Sequence, residues 1–479
     1  MSESINIKGS NGHYAGIIAL IAIGQVIFGT DFGAVNVALA SIAKDLQIAP
    51  GMLSWVVGTY SLAYAGFLVL GGRASDSFGR RRFCILGLLL FGSGSLLAVF
   101  SFNVWTLIAA RALEGFGSAF FIPSSFSLIN VLLPEGQIRH RAFAVFSATQ
   151  GIAMILGLCG GGIVTTTMGW RAVFLINIPL VVAAILLSYR FIPAHLRSPK
   201  KPTIDVAGAI LITMSAVFAV AALSAIGEYG WTDVRGTGVL VASMVALAAF
   251  LILERNLKDP LVPPAIYHFA NFFGANLASV GIMATTGGLF VLLNLFMQRA
   301  LHFSAMESGL GMLPYASAVI VAGRLIGYGM SRYPIRKTIL AGFVVFIAAT
   351  LLFAAVSTER GYGLNLAPAM IVAGLGSTVG TVLLMALSTS AVPAPIQGVA
   401  TGVLVTFQQI GLALGVSVAL TVVAASSRSG EPIITAFRLG FLATTCTAVM
   451  GLVCALLFTR KPLAGPGATP DNVKLPELI

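Results

Sequence analysis

Fourteen apolar runs of about twenty residues, the length a helix needs to cross a bilayer, follow one another along this chain. They fall at 15–41, 54–74, 83–101, 104–132, 142–166, 171–192, 206–226, 236–254, 272–297, 308–330, 337–356, 364–390, 397–424 and 435–459. Hydrocarbon offers backbone groups no water, so segments that span it must satisfy their own hydrogen bonds and are helical. The sequence therefore predicts an all-α polytopic membrane protein with 14 transmembrane helices. With 57% of its residues hydrophobic and only 9% charged, the chain lacks the polar surface of a soluble globular protein. Met1–Gly12 is polar and the first run is too long for the apolar part of a signal peptide, so that run is expected to stay as an anchor.

Lysine and arginine set the expected orientation. With the N-terminus inside, the cytoplasmic segments carry 19 of the 28, the outer loops carry Lys44, Arg171, Arg235, Arg299, Arg360 and Arg428, and Arg111, Arg324 and Arg438 lie within runs. An even number of crossings then puts both termini in the cytoplasm, with the protein in the cytoplasmic (inner) membrane. The net charge of +12 is spread over short inner loops, so it is read as this bias toward anionic lipid and not as a nucleic-acid surface. Two proline-rich, charged segments, 193–205 and 254–271, flank the seventh and eighth runs. They divide the chain into a six-helix bundle (1–192), a linker holding two inserted helices (193–271), a second six-helix bundle (272–459) and a polar cytoplasmic tail (460–479), expected to be disordered.

Asp31 and Glu114 stand inside the first and fourth runs. An ionisable group at membrane depth is costly and marks ion or substrate pathways. Arg111 precedes Glu114 by three residues and shares its helix face, so the two can pair where neither would be tolerated alone. The arginine favours the charged carboxylate and desolvation the protonated one, a balance that can tip as access alternates. Asp31 has no cation near it in sequence and is expected to be the principal proton carrier. The plainer alternatives are a structural ion pair for Glu114 and a packing or capping role for Asp31. Candidates for a substrate cavity are the other polar or aromatic groups at depth: Gln25, Asn36, Tyr60, Tyr64, Asn294, Gln298, Gln408 and Gln409. Cys84, Cys159, Cys446 and Cys454 show no metal-ligand spacing and the five histidines fall near run ends, so neither a metal site nor a histidine relay is expected.

Between the second and third runs lies Gly72-Arg-Ala-Ser-Asp76-Ser-Phe-Gly79-Arg80-Arg81. It resembles the signature loop of the major facilitator superfamily, G-x-L-A-D-R-x-G-R-[RK], with Gly72, Asp76, Gly79, Arg80 and Arg81 matching, Ala74 in place of the leucine and Ser77 in place of the first arginine. A fainter copy, Gly329 to Lys337, joins the tenth and eleventh runs. Three further stretches are similar to the fourteen-helix drug:proton antiporter family: Arg111-Ala-Leu-Glu114-Gly115-Phe-Gly117, with glutamate where glutamine is usual; Gly157-Leu158-Cys-Gly-Gly161-Gly162, with Leu158 where the antiporter motif has proline; and Trp170-Arg171 through Asn177-Ile-Pro179.

The resemblance implies the major facilitator fold, with the Gly72–Arg81 loop as a gating element, Gly157, Gly161 and Gly162 as a helix-packing motif, and the proton as the only coupling species, without a cofactor. It further implies a transporter and not an enzyme. Such a protein, acting as a monomer in membrane lipid, would export small hydrophobic or cationic drugs or antibiotics in exchange for protons. Two alternatives stay open: a dedicated exporter of one metabolite or lipid, and a proton symporter for uptake.

Overall fold

In a computed structural model, residues 11–48, 52–134, 137–193, 205–229, 233–257, 269–357, 361–392 and 397–459 are described, and all their regular structure is helical. The first half comprises α1 (Asn11–Asp45), α2 (Leu53–Phe78), α3 (Arg80–Val99), α4 (Val104–Leu132), α5 (Gln137–Met168), α6 (Arg171–Leu175) and α7 (Asn177–Phe191). Helices α8 (Val206–Tyr229) and α9 (Val234–Asn256) form the inserted hairpin. The second half runs through α10 (Ala270–Arg299), α11 (Ala305–Gly311), α12 (Leu313–Arg332), α13 (Ile335–Ala354), α14 (Gly361–Asn365), α15 (Ala367–Ser390), α16 (Gln397–Arg428) and α17 (Ile433–Phe458). Among the described residues 13 helical stretches are long and apolar enough to cross a membrane, and α5 supplies a further apolar stretch at Ile152–Met168. These are the fourteen runs of the sequence. The tail and most of both linkers lie outside the described residues.

Three of the runs are interrupted, and proline explains each break. Helix α7 begins after Ile176 and has Pro179 as its third residue, α12 begins after Met312 with Pro314 as its second, and α15 begins after Leu366 with Pro368 as its second. A proline lacks the N–H for an interior hydrogen bond but is well tolerated in a first helical turn. Hydropathy alone predicts all three runs as continuous, because it does not register a missing hydrogen-bond donor.

The two halves repeat one packing scheme. In the first, α1 lies along α5 and α7, and α4 lies between α2 and α3; in the second, α10 lies along α16 and α17, and α15 lies between α12 and α13. The halves meet reciprocally, the second span of each against the fifth of the other: α2 on α16, and α11 on α5. One apolar core crosses between them at the end where α1 turns into α2, drawing together Val35, Val37 and Leu39 with Phe290, Leu293 and Met297. Toward the opposite end the cores are separate, with Ile17, Leu20, Leu88 and Leu128 in the first half and Phe272, Val392, Ala400 and Val403 in the second.

Glycines in α5 make some of these close contacts possible. An added Cβ at Gly157 would overlap the Thr30 carbonyl, one at Gly161 would come within 2.5 Å of Ala34 Cα, and one at Gly162 within 2.5 Å of the Ala305 carbonyl. One helix thus grips α1 of its own half and α11 of the other. Gly160 faces open space, with nothing within 4 Å of such a Cβ. Alanine favours a helix over glycine by about 1 kcal/mol, whereas overpacking costs about 1–3 kcal/mol. Gly160→Ala should therefore keep or raise the thermal midpoint of the purified protein and Gly161→Ala should lower it; equal midpoints for the two would contradict this packing.

Candidate charge cluster

The guanidinium of Arg111 lies at the centre of the first half. Its Nη1 donates to Asp31 Oδ2 at 2.6 Å and to Glu114 Oε2 at 2.5 Å, and its Nε donates to the Val56 carbonyl at 3.2 Å. The Tyr60 ring lies beneath it, 4.6 Å from ring centroid to guanidinium carbon. All three charged residues are at most 1% exposed. Arg111 and Glu114 are neighbours on α4, as their spacing requires, but Asp31 comes from α1, 80 positions earlier in the chain. The acid that has no cation near it in sequence thus shares the arginine with Glu114. Burying charges this deeply is tolerable only because each is paired and hydrogen-bonded.

A polar ring closes around the trio. Ser95 on α3 donates to Glu114 Oε1 at 2.7 Å, and the Asn177 amide donates to Ser95 Oγ at 3.2 Å and to Asp31 Oδ1 at 3.4 Å. Asn177 can reach both because it opens α7 just after the break at Ile176. Tyr60 is fixed in turn by a 2.8 Å bond between its hydroxyl and Ser118 Oγ. Five spans therefore converge on one site. With both acids ionised the cluster carries one negative charge more than positive, and a single proton would neutralise it.

The second half contains the same frame without the charges. Tyr315 on α12 bonds Ser377 on α15 at 2.7 Å, just as Tyr60 on α2 bonds Ser118 on α4. In sequence the segment Arg111-Ala-Leu-Glu114-Gly-Phe-Gly-Ser118 corresponds to Met370-Ile-Val-Ala373-Gly-Leu-Gly-Ser377. Met370 and Ala373, both fully buried, replace the ion pair. The repeated Gly-x-Gly-Ser is a legible signal of this correspondence, one that a search for polar groups run by run misses. The same search misses Ser95, and it reaches Asn177 only as part of a motif.

The other cavity candidates are dispersed. Tyr60 belongs to the charge cluster, and Tyr64 packs beside it, with ring centroids 6.3 Å apart. Asn36 donates back along α1 to the Phe32 carbonyl, and Gln25 is buried, its Nε2 without a hydrogen-bond partner among the described residues. Asn294 accepts a 3.0 Å bond from Ser308, joining α10 to α11. Gln298 crosses between the halves, its Nε2 donating to the Val37 carbonyl at 2.9 Å. Gln408 and Gln409 are half-buried on α16. In the Gly72–Arg81 segment, Gly72 and Asp76 lie on the last turns of α2 and Gly79 separates α2 from α3 with φ +114°, a backbone that strongly favours glycine. The Asp76 side chain lies outside the described residues. Arg80 opens α3 and Arg81 reaches α7, its guanidinium 4.9 Å from the Tyr189 ring centroid. The Trp170-Arg171 pair forms a clip at the end of α1: both side chains donate to Asp45 Oδ2, at 3.0 and 2.7 Å, and Arg171 also donates to the Ser101 carbonyl. Among the described residues, no group of His, Cys, Asp and Glu could hold a metal ion.

Removing one partner of a buried ion pair leaves uncompensated charge and costs about 3–5 kcal/mol. Arg111→Met alone should therefore sharply lower the thermal midpoint of the purified protein. Combined with Asp31→Asn and Glu114→Ala, which makes α4 match the charge-free frame of the second half, it should recover most of the loss. A triple variant no more stable than the single one would show that the cost lies in shape and not in charge.

Comparison with known proteins agrees with this architecture. The chain is 33% identical to the puromycin resistance protein pur8 of Streptomyces alboniger over 416 residues, covering 85% of this chain and 81% of that one. It is 32% identical to the cephamycin export protein CmcT of Amycolatopsis lactamdurans, covering 89% and 87% of the two chains. Its identity to the lincomycin resistance protein of Streptomyces lincolnensis is 30%, over 92% of this chain and 89% of the other. Among solved structures, a peptide transporter POT in complex with sulfate superposes with a TM-score of 0.68 at 16% identity, covering 94% of this chain and 96% of that one. A D-xylose-proton symporter superposes with a TM-score of 0.63 at 17% identity, covering 93% and 98%. These two likenesses concern the fold alone. The sequence matches the Major Facilitator Superfamily over residues 21–416 and again over 272–476, and with its fourteen spans and reciprocal halves the chain belongs to that family.

Proposed function

We propose that this protein exports small amphipathic, cationic compounds of the antibiotic or drug type across the cytoplasmic membrane in exchange for protons. The observation that carries the reading is the shared guanidinium: two buried carboxylates on one arginine, in a part of the protein that lipid and packed helices keep from water. The relatives named for resistance to, or export of, antibiotics support the substrate class. Cationic substrates fit a first half whose cluster carries excess negative charge and a second half whose equivalent position is neutral.

Asp31 is the proton carrier in this proposal. Both oxygens of Glu114 accept short bonds, at 2.7 and 2.5 Å, whereas among the described residues Asp31 Oδ1 meets only the 3.4 Å contact from Asn177, which leaves space for a proton. Protonation there would loosen the hold of Arg111 on α1 and so tie the proton to the packing of α1 against α4. Substrate and proton then favour different arrangements of the halves, which is the condition for coupled exchange. By the distribution of lysine and arginine, the joined end of the halves faces outward and both termini face the cytoplasm. The protein works as a monomer in the lipid bilayer, with no cofactor beyond the proton.

Proteoliposomes with an imposed pH gradient test the coupling. Asp31→Asn should abolish gradient-driven transport while leaving equilibrium binding measurable, because a permanently neutral side chain resembles the protonated state. Glu114→Gln should be milder, reducing transport of dicationic substrates most and of neutral ones least. Gradient-driven transport by Asp31→Asn at the wild-type rate would place the proton elsewhere. Equal losses for neutral and dicationic substrates in Glu114→Gln would make that residue structural.

The orientation is open to labelling in a background without the four native cysteines. Lys337 at the start of α13 and Ser429 just after α16 are both exposed. In intact cells Ser429→Cys should react with a membrane-impermeant maleimide, and Lys337→Cys should react only after the membrane is opened. The reverse pattern would invert the topology.

A further inference from the structure

The inserted hairpin encloses a cavity that the exchange mechanism above does not use. It has a volume of about 740 Å³ and lies beside the α2–α16 seam, with Ala219 of α8 and Leu247 and Phe250 of α9 on one wall and Val69 of α2, Phe273 of α10 and Phe407 of α16 on the other. That volume lies within the range of small-molecule sites, which are mostly apolar with a few placed polar groups. The hairpin is built to hold its shape: Ser215 and Ser243 each donate to the other's backbone carbonyl, at 3.1 and 2.8 Å. Ser417 and Thr421 of α16 bond carbonyls of α8, at 3.4 and 3.1 Å. The chamber therefore touches both halves beside the α2–α16 seam, with α8 and α9 forming one of its walls.

Its charged groups gather at one end, the end that the positive-inside bias places in the cytoplasm. Glu254 lines the chamber there and is 6% exposed. Asp205, just before α8, sits next to it: a Cβ added at Gly208 would overlap Asp205 Oδ2 and lie 3.1 Å from Glu254 Oε1. Asp205 Oδ1 accepts the Gly208 N–H at 2.8 Å, while its buried Oδ2 has no hydrogen-bond partner among the described residues. Arg255, exposed, lines the same end.

We infer that this chamber is a second binding site, a vestibule that takes a lipophilic organic cation before it reaches the space between the halves, with its apolar groups against Ala219, Phe250 and Phe407 and its charge at Asp205 and Glu254. The inference rests on the proposed cationic substrate class, but it concerns a site separate from the proton-binding cluster. It also gives the inserted helices a role, since they supply one wall of the chamber and its lining acid Glu254, with Asp205 beside it.

Equilibrium binding to the purified full-length protein tests it with two probes of similar shape, the cation tetraphenylphosphonium and the neutral triphenylphosphine oxide. Ala219→Trp, which fills the chamber, should weaken both by about tenfold or more, the loss of about 1.4 kcal/mol. Asp205→Asn retains an oxygen to cap Gly208 and so keeps the fold; it should weaken the cation by a similar factor and leave the neutral probe unchanged, as should Glu254→Gln. Tetraphenylphosphonium binding that is unchanged in Ala219→Trp and Asp205→Asn, or absent from the wild type, would overturn the chamber. The reading as a proton-driven exporter would stand or fall separately, on the pH-gradient assay of Asp31→Asn.

Discussion

Everything in the first half is arranged so that one guanidinium can exist inside a membrane. Arg111 would be intolerable alone at that depth, and so would either acid. Together they require α1 to approach α4, Val56 to turn its carbonyl inward, Tyr60 to lie flat beneath the cation and α6 to give way to α7 so that Asn177 can complete the ring. Any change in the charge of the cluster must therefore alter how these spans fit together. Electrostatics and packing are thereby linked across the five spans.

The contacts between the halves are of another kind. They are made by the shared apolar core of Val35, Val37, Leu39, Phe290, Leu293 and Met297, by small residues and backbone, as at Gly162 with Ala305, and by single hydrogen bonds such as Gln298 to Val37 and Thr406 to the Ala65 carbonyl. Such contacts are close but individually modest, each bond contributing about 1 kcal/mol. Strong, charge-based interactions lie within one half and weak, shape-based ones lie between halves.

Much of this is legible in the sequence because a membrane simplifies the code. Hydropathy alone locates the fourteen spans, and their burden of lysine and arginine suggests which ends face inward. The pairing of Arg111 with Glu114 follows from helical spacing. Its extension to Asp31 does not, because contact between positions 31 and 111 depends on how α1 and α4 pack, and local spacing carries no record of that. Ser95 escapes notice for a similar reason: a serine in an apolar run has many possible partners, and only the fold selects Glu114. The three helix breaks are within reach, since each has a proline within three residues, but Pro123 lies inside an uninterrupted α4 and shows that proline alone does not decide. Gln25, Asn294, Gln298 and their companions illustrate the limit of reasoning from polarity at depth: several of them stitch helices together, along a helix, within a half or across the seam.

The Tyr–Ser frame that recurs in both halves, charged in one and neutral in the other, separates two roles that a symmetric ancestor would have had to combine. In the half with Arg111, Asp31 and Glu114, losing the arginine strands both acids and losing either acid changes the charge of the cluster. The half with Met370 and Ala373 carries no such debt. Its interior can accept substitutions one at a time, each tested only by how well side chains fill space. A lineage can thus alter the neutral position of the second half one residue at a time while the charge cluster of the first half keeps its form.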